Sequence, residues 1–225
     1  MAGLPPIASY PMPGSDELPE QIVTWEPDPA RAVLLIHDMQ KYFLQPFSQG
    51  SSPLSELTGN VVRLRQACAR MGIPVAYTLQ PGGMSPQQRG LLVDFWGPGM
   101  TVEPADREVI DGLTPGPDDW TFVKWRYSAF HKTDLLERMR QAGRDQLLVC
   151  GVYAHLGVLM TTCEAFTNDI QPFLAADAVA DFTPEYHRMA LDYAAGRCAM
   201  VATTGRLLTG LVSDSVAAAA KETRI

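Results

Sequence analysis

Short apolar runs alternate along this chain with amphipathic helical patterns, and that alternation limits the possible fold more than any other feature. The runs are AVLLIHD (32–38), IPVAYTLQ (73–80), WTFVK (120–124), LLVCGVY (147–153), PFLAADA (172–178) and AMVATT (199–204). Between them lie NVVRLRQACARM, with Val61, Leu64, Cys68 and Met71 on one face, then TDLLERMRQAG, a helix from about His155, and PEYHRMALDYAAGR. Thr183 followed by Pro184 reads as an N-cap with proline at the first helical position. Six short apolar strands separated by helices predict an α/β fold: a three-layer, doubly wound, mostly parallel sheet of six strands with helices on both faces.

Ligands of such sheets bind outside the carboxyl ends of the strands, where strand order reverses. The residues at those ends are polar: Asp38 after the first strand, Gln80 after the second, Lys124 after the third, Tyr153 and His155 after the fourth, Asp177 after the fifth. In AVLLIHDMQKYF the apolar run passes into the pair His37–Asp38 without a turn residue, although charged side chains are rarely buried unless something holds them. Asp177 has a second reading, as a helix cap or turn-fixing residue.

Residues 1–31 hold seven of the 18 prolines and little periodicity, so they read as an extended arm lying on the body. Residues 1–208 then form one domain, a size at which a single α/β core buries most of its apolar surface, and 209–225 a helical or frayed tail. The connection from about Pro81 to Asp119 is too long for a simple crossover and is expected to act as a lid. Within it, Ser85, Pro86 and Gln88 have the arrangement of a capping box, starting a short helix that carries Arg89 and leads on to Trp96. Arg89 reads either as a residue over the strand ends or as a solvated helix residue.

The formal charge is −7 and Lys and Arg form no cluster, which argues against nucleic-acid binding and leaves any anionic ligand to local cations. No Lys or Arg precedes Arg31, and no apolar run approaches the roughly 20 residues that span a bilayer, so a cytoplasmic protein without membrane attachment is expected. Cys68, Cys150, Cys163 and Cys198 are scattered among apolar neighbours and read as packing thiols, with Cys163 as a nucleophile the functional alternative. The four histidines lack the paired spacing of zinc sites, so no metal is expected.

Four segments together carry a family resemblance: LLIHDMQKYF, YTLQPGGMSPQQRGLLVDFWGPGM, DDWTFVKWRYSAF and LLVCGVYAHLGVLMTTCEAFTNDIQPFLAADAVADF. In order and spacing the chain resembles the isochorismatase branch of the isochorismatase-like hydrolases over roughly residues 1–208. The nearest likeness is to members acting in phenazine biosynthesis, which cleave 2-amino-2-deoxyisochorismate into trans-2,3-dihydro-3-hydroxyanthranilate and pyruvate. The resemblance implies a fold of that family, a cytoplasmic hydrolase working without a cofactor, a small dicarboxylate substrate, and self-association as a homodimer. It places Asp38 and Lys124 at the catalytic centre and Gly157 where cysteine-dependent relatives carry their nucleophile. It assigns substrate contacts to Gln80, Arg89, Trp96, Phe43, Tyr127, Tyr153 and Gly157, although for the aromatics a place in the core is the competing reading. It also implies a strained non-proline peptide bond between Val152 and Tyr153.

Hydrolysis of an enol ether needs a proton delivered to carbon rather than an attacking side chain, and Asp38 is the rim carboxyl placed to supply it. Burial at the end of an apolar strand raises an aspartate pKa, and a nearby Lys124 lowers it; the sequence leaves that balance open. The substituent at ring position 2, amine or hydroxyl, is open as well, with isochorismate the alternative substrate. Amidase chemistry through a cysteine is a further alternative that Gly157 disfavours, and a catalytically silent scaffold or carrier-protein partner another. The segment after residue 208 is too short for an aryl-carrier domain.

Overall fold

The six apolar runs form one sheet because each is flanked by helices that cover both of its faces. The computed structural model describes residues 3–212. The strands are β1 (Ala32–His37), β2 (Val75–Leu79), β3 (Trp120–Val123), β4 (Gln146–Val152), β5 (Gln171–Ala180) and β6 (Met200–Ala202). Their order is β3-β2-β1-β4-β5-β6, and every pairing is parallel. Strand order reverses between β1 and β4, the crevice at which ligands of doubly wound sheets bind.

Along β1, Ala32, Leu34 and Ile36 join the core layer that includes Leu57, Val61, Leu64 and Cys68 of α2 (Leu54–Arg70). Val33 and Leu35 point to the other face. There they pack with Leu135 and Met139 of α6 (Leu135–Gln141), Leu159 and Ala165 of α7 (Leu159–Thr167), and Ala190, Leu191 and Ala194 of α8 (Pro184–Arg197). This two-sided alternation explains why β1 is apolar up to its terminal His37 and β4 after its first residue, Gln146: every residue of both strands is buried. α8 begins as read, with Thr183 Oγ1 accepting the Tyr186 N–H and Pro184 in the first turn.

The proline-rich arm lies on the body through Ile7, which bridges to Phe47, and through the buried Tyr10. The segment 81–119 carries α3 (Pro86–Arg89), α4 (Leu92–Trp96) and α5 (Pro104–Arg107), and α1 (Lys41–Leu44) packs beside α5. Residues 204–212 are helical, and the tail reading for 213–225 lies outside the described residues.

The sheet is parallel throughout, and two boundaries differ from the sequence reading. α2 starts at Leu54, because Leu54 and Leu57 extend its buried stripe ahead of Val61. β5 runs on to Ala180, pairing with β4 through a bulge between Val149 and Gly151. Asp177 therefore lies within this strand and not at its end. Its Oδ1 accepts hydrogen bonds from Thr204 N and Oγ1, its carbonyl accepts from Asn60 Nδ2, and its role is the helix-capping one. The position after β5 belongs to Asp181.

Candidate active site

Asp38 leaves β1 with φ 51°, a left-handed conformation that aspartate tolerates better than most residues. The turn swings its carboxylate over the end of β2. There Thr78 Oγ1 accepts the Asp38 N–H at 3.1 Å and donates to Asp38 Oδ1 at 2.7 Å. Asp38 Oδ2 accepts from Lys124 Nζ at 2.8 Å and from Gln80 Nε2 at 3.2 Å. Lys124 Nζ also donates to the Arg126 carbonyl at 2.7 Å, which fixes the ammonium between two acceptors. Carboxylate and ammonium are both almost wholly buried, 4% and 2% exposed, so each is the other's main replacement for water.

Burial, the largest influence on Asp38, pushes its pKa up. The charge of Lys124, the neighbouring His37 and the hydrogen bonds from Lys124 and Thr78 together outweigh it and hold the carboxyl below its ordinary value. The balance that the sequence left open is thus decided for the anion. Beside it, the wholly buried His37 is pushed down to about 4 by burial and is neutral at pH 7.

Every residue expected at the site lines one cleft, which encloses about 520 Å³ of non-protein space, part of it open to solvent. Asp38, Gln80 and Lys124 form its polar floor. Phe43 and Tyr153 form one wall, tied by a hydrogen bond from Tyr153 Oη to the Phe43 carbonyl at 2.6 Å. Trp96 reaches in from α4, with Nε1 donating to Tyr127 Oη at 2.8 Å. The Val152–Tyr153 peptide bond at the end of β4 is cis. Gly157 follows in a π-helical turn, Ala154–Val158, kinked at Leu156 and leading into α7.

Arg89 is buried, at 6% exposure, so the solvated reading does not hold for it. The capping box forms, with Ser85 Oγ accepting the Gln88 N–H and Gln88 Oε1 accepting the Ser85 N–H. Arg89 Nε then donates to Gly97 O at 2.7 Å across the two lid helices. A side chain at Gly99 would meet the Arg89 guanidinium at 2.5 Å, so the glycine makes room for it.

Several contributors were not singled out in the sequence. Arg126 lines the cleft and donates from Nη1 to Gln88 O on the lid at 2.9 Å. Gln40 clamps the backbone of Gln80 from both sides, donating to Gln80 O and accepting from Gln80 N, and also donates to Arg107 O. Asp181, wholly buried, pairs with His155 Nδ1 and accepts the N–H groups of His155 and Phe182. Phe182 then stacks on Tyr153 and Trp96. A signal for Gln40 existed, two residues past Asp38; Asp181 was hidden by the misplaced end of β5.

Among the described residues lining the cleft there is no Cys, Ser or Thr. Cys163 lies outside it, its Sγ 3.8 Å from Cys198 Sγ. Three cations, Arg89, Lys124 and Arg126, against the single carboxylate of Asp38 leave two positive charges in excess, in a chain whose formal charge is −7. Such a cleft attracts a dianion. Among the described residues no group of three or more His, Cys, Asp or Glu is placed to hold a metal, and no helix is long and apolar enough to cross a membrane.

A family model described as the isochorismatase domain matches residues 32–206, from the first residue of β1 to beyond β6. The chain belongs to the isochorismatase family. Its curated isochorismatase relatives include a phenazine biosynthesis protein, PhzD1, of Pseudomonas aeruginosa, 59% identical over 92% of this chain and 100% of that protein. An isochorismatase of Bacillus subtilis is 53% identical over 92% of this chain and 67% of its own length. Among solved structures, a cysteine hydrolase from Pseudomonas syringae superposes with a TM-score of 0.76 over 87% of this chain and 99% of that one, at 23% identity, a likeness of fold. The chain is accordingly a hydrolase of the isochorismatase type.

Proposed function

We propose that this enzyme cleaves the enolpyruvyl ether of 2-amino-2-deoxyisochorismate, releasing pyruvate and trans-2,3-dihydro-3-hydroxyanthranilate. The observation that carries the reading is the Lys124-held Asp38 carboxylate in a cleft with two excess positive charges and no thiol or hydroxyl nucleophile of the Cys, Ser or Thr type. The likeness to the Pseudomonas phenazine protein over nearly the whole chain supports the amine-bearing substrate.

The substrate's two carboxylates suit Arg89 and Lys124, the guanidinium presenting a planar fork to one of them. Gln80 and the main chain around Gly157 hydrogen-bond the polar substituents, while Phe43, Trp96, Tyr127 and Tyr153 exclude bulk water. Binding the two carboxylates offsets the field of Lys124 and raises Asp38 into its acid form. Asp38 then gives its proton to the terminal vinyl carbon, which becomes the methyl group of pyruvate. The ether oxygen stabilises the cation formed at the neighbouring vinyl carbon that bears it, water adds its oxygen to this ether-bearing carbon, and the proton it sheds returns to Asp38. The hemiketal collapses by breaking the bond between the ether-bearing carbon and the ring oxygen; the hemiketal hydroxyl becomes the pyruvate carbonyl, and the proton it gives up goes to the ring oxygen, which leaves as the ring hydroxyl. No bond to the protein forms at any stage.

The test offers both purified substrates, the amino compound and isochorismate, and follows pyruvate with a coupled dehydrogenase, wild type beside Asp38→Ala. The expected result is preference for the amino compound and a loss of about 10² to 10⁴ in the variant, the usual worth of general acid catalysis. A preference for isochorismate supports the second reading, which the identity to the Bacillus isochorismatase favours. Undiminished turnover by Asp38→Ala overturns the mechanism for either substrate.

A further inference from the structure

Two glycines bracket His37. At the pairing of β1 with β4, His37 lies opposite Gly151, whose φ is 110° and whose missing Cβ would fall 2.1 Å from the His37 carbonyl oxygen. Beyond the end of β4, a Cβ on Gly157 would fall 2.3 Å from His37 Cε1 and 2.9 Å from Nε2. The first glycine admits the histidine's backbone and the second its ring.

The ring makes one hydrogen bond of good geometry, at Nδ1, and the Tyr127 backbone also acts on it. Nδ1 lies 2.8 Å from the Val152 carbonyl, and since a carbonyl can only accept, Nδ1 carries the proton there. Nε2, wholly buried, has no hydrogen-bond partner among the described residues. Buried polar atoms are seldom left so, and this one sits on Gly157, where its contribution is volume. The ring belongs to the residue next to Asp38 in the chain, so the space it fills adjoins the acid and its lysine.

We propose that His37 is a specificity-determining residue: its ring occupies the volume that any side chain at position 157 would need, which excludes a side-chain nucleophile beside Asp38 and Lys124 and leaves hydration to water. The inference rests on the hydrolase reading above, since water is the co-reactant of that reaction. It assigns the histidine and the glycine as one unit, in which neither can change size alone. The overlap is deepest with the ring tip and not with the Cβ of His37, so trimming the ring relieves most of it and leaves a close contact of 3.0 Å with the Tyr127 carbonyl.

The test is a double-variant cycle on the full chain, with Gly157→Ala, His37→Ala and the two combined, read by pyruvate release and by thermal melting. Gly157→Ala alone is expected to lower kcat at least 100-fold and to lower Tm. The combined variant is expected to turn over at least tenfold faster than Gly157→Ala alone and to melt at a higher temperature than it. His37→Val with Gly157→Ala repeats the cycle with a branched side chain better suited to a strand. Near-normal behaviour of Gly157→Ala, or losses that simply multiply with both partners, overturns the proposal. If Gly157→Ala does not fold, recovery of a cooperative melt by either partner supports the pairing and its absence with both overturns it. The melting arm needs no substrate, so it still judges the pair if neither ether proves to be cleaved.

Discussion

Lys124 Nζ stands 2.8 Å from Asp38 Oδ2 with both side chains buried, so the group proposed as the acid is held as an anion until something answers the lysine's charge. In the proposed mechanism the acid form is the active one, so activity should fall as pH rises through the pKa of Asp38. In the free enzyme that pKa lies below the ordinary value of about 3.9, and kcat/KM, which reports the free enzyme, should already decline at low pH. kcat reports the loaded complex, and its decline should be centred above pH 4 because the substrate's carboxylates oppose Lys124. Two pH profiles check this; coincident declines at or below that pH would show that substrate does not load the acid.

Replacing Lys124 by Met should invert the pH dependence of stability. In the wild type the depressed Asp38 contributes stability above its unfolded pKa, and that contribution is lost as pH falls through the lower folded pKa. Without the ammonium, burial dominates and raises the folded pKa, so the variant loses stability as pH rises from the unfolded value toward the folded one. Melting curves should show Lys124→Met less stable at pH 7 than at pH 5 by several degrees. Adding Asp38→Asn should remove most of that difference.

The strands at the centre of the sheet were legible because Ala32–Ile36 and Leu147–Val152 are apolar on both faces and bounded by polar residues at their ends. The site followed from them, since Asp38, Gln80 and Lys124 sit at strand ends fixed by that pattern. β5 was not legible in full: its bulge sets Asp177 inside an apolar run, and a polar residue there looks like a terminus. Asp181 was lost with it. His37 was visible as a question, but its partner was not, because the contact with Gly157 joins residues 120 positions apart where the end of β1 meets the turn after β4. Arg126 carries no local signal, since its hydrogen bond to Gln88 exists only once the lid has folded over the rim.

Arg126 fastens that lid. Its Nη1 holds Gln88 O while its own carbonyl accepts from Lys124, so one residue links the lid helix carrying Arg89 to the catalytic floor. Arg126→Met keeps the carbonyl and removes the strap. The expected outcome is a KM raised about tenfold or more with a smaller change in kcat, as lost ground-state binding produces. Limited proteolysis should cut the variant within 81–119 faster than the wild type, whereas equal cutting rates together with an unchanged KM would remove Arg126 from this role.

Asp181 anchors the opposite wall. Its carboxylate accepts from His155 N at 2.6 Å and from Phe182 N at 2.8 Å, and it pairs with His155 Nδ1 at 2.7 Å. Those bonds set the ring of Phe182 against Tyr153, 4.2 Å between centroids, and against Trp96 at 5.7 Å. Asp181→Ala leaves two part-buried N–H groups without this acceptor, each costing about 1 kcal/mol, the low end of the range for buried groups. At about 2 to 4 °C per kcal/mol for a chain of this size, Tm should fall by roughly 4 to 8 °C. Asp181→Asn retains one acceptor oxygen and should lose less than half as much. If the wall serves the substrate, Phe182→Ala should raise KM while sparing most of the Tm that Asp181→Ala loses, because the ring is supported by the carboxylate and not the reverse. Melting and steady-state kinetics on the three variants separate the two effects, and equal Tm losses for Asp181→Ala and Phe182→Ala would show that stacking, rather than the hydrogen-bonded carboxylate, holds this edge of the cleft.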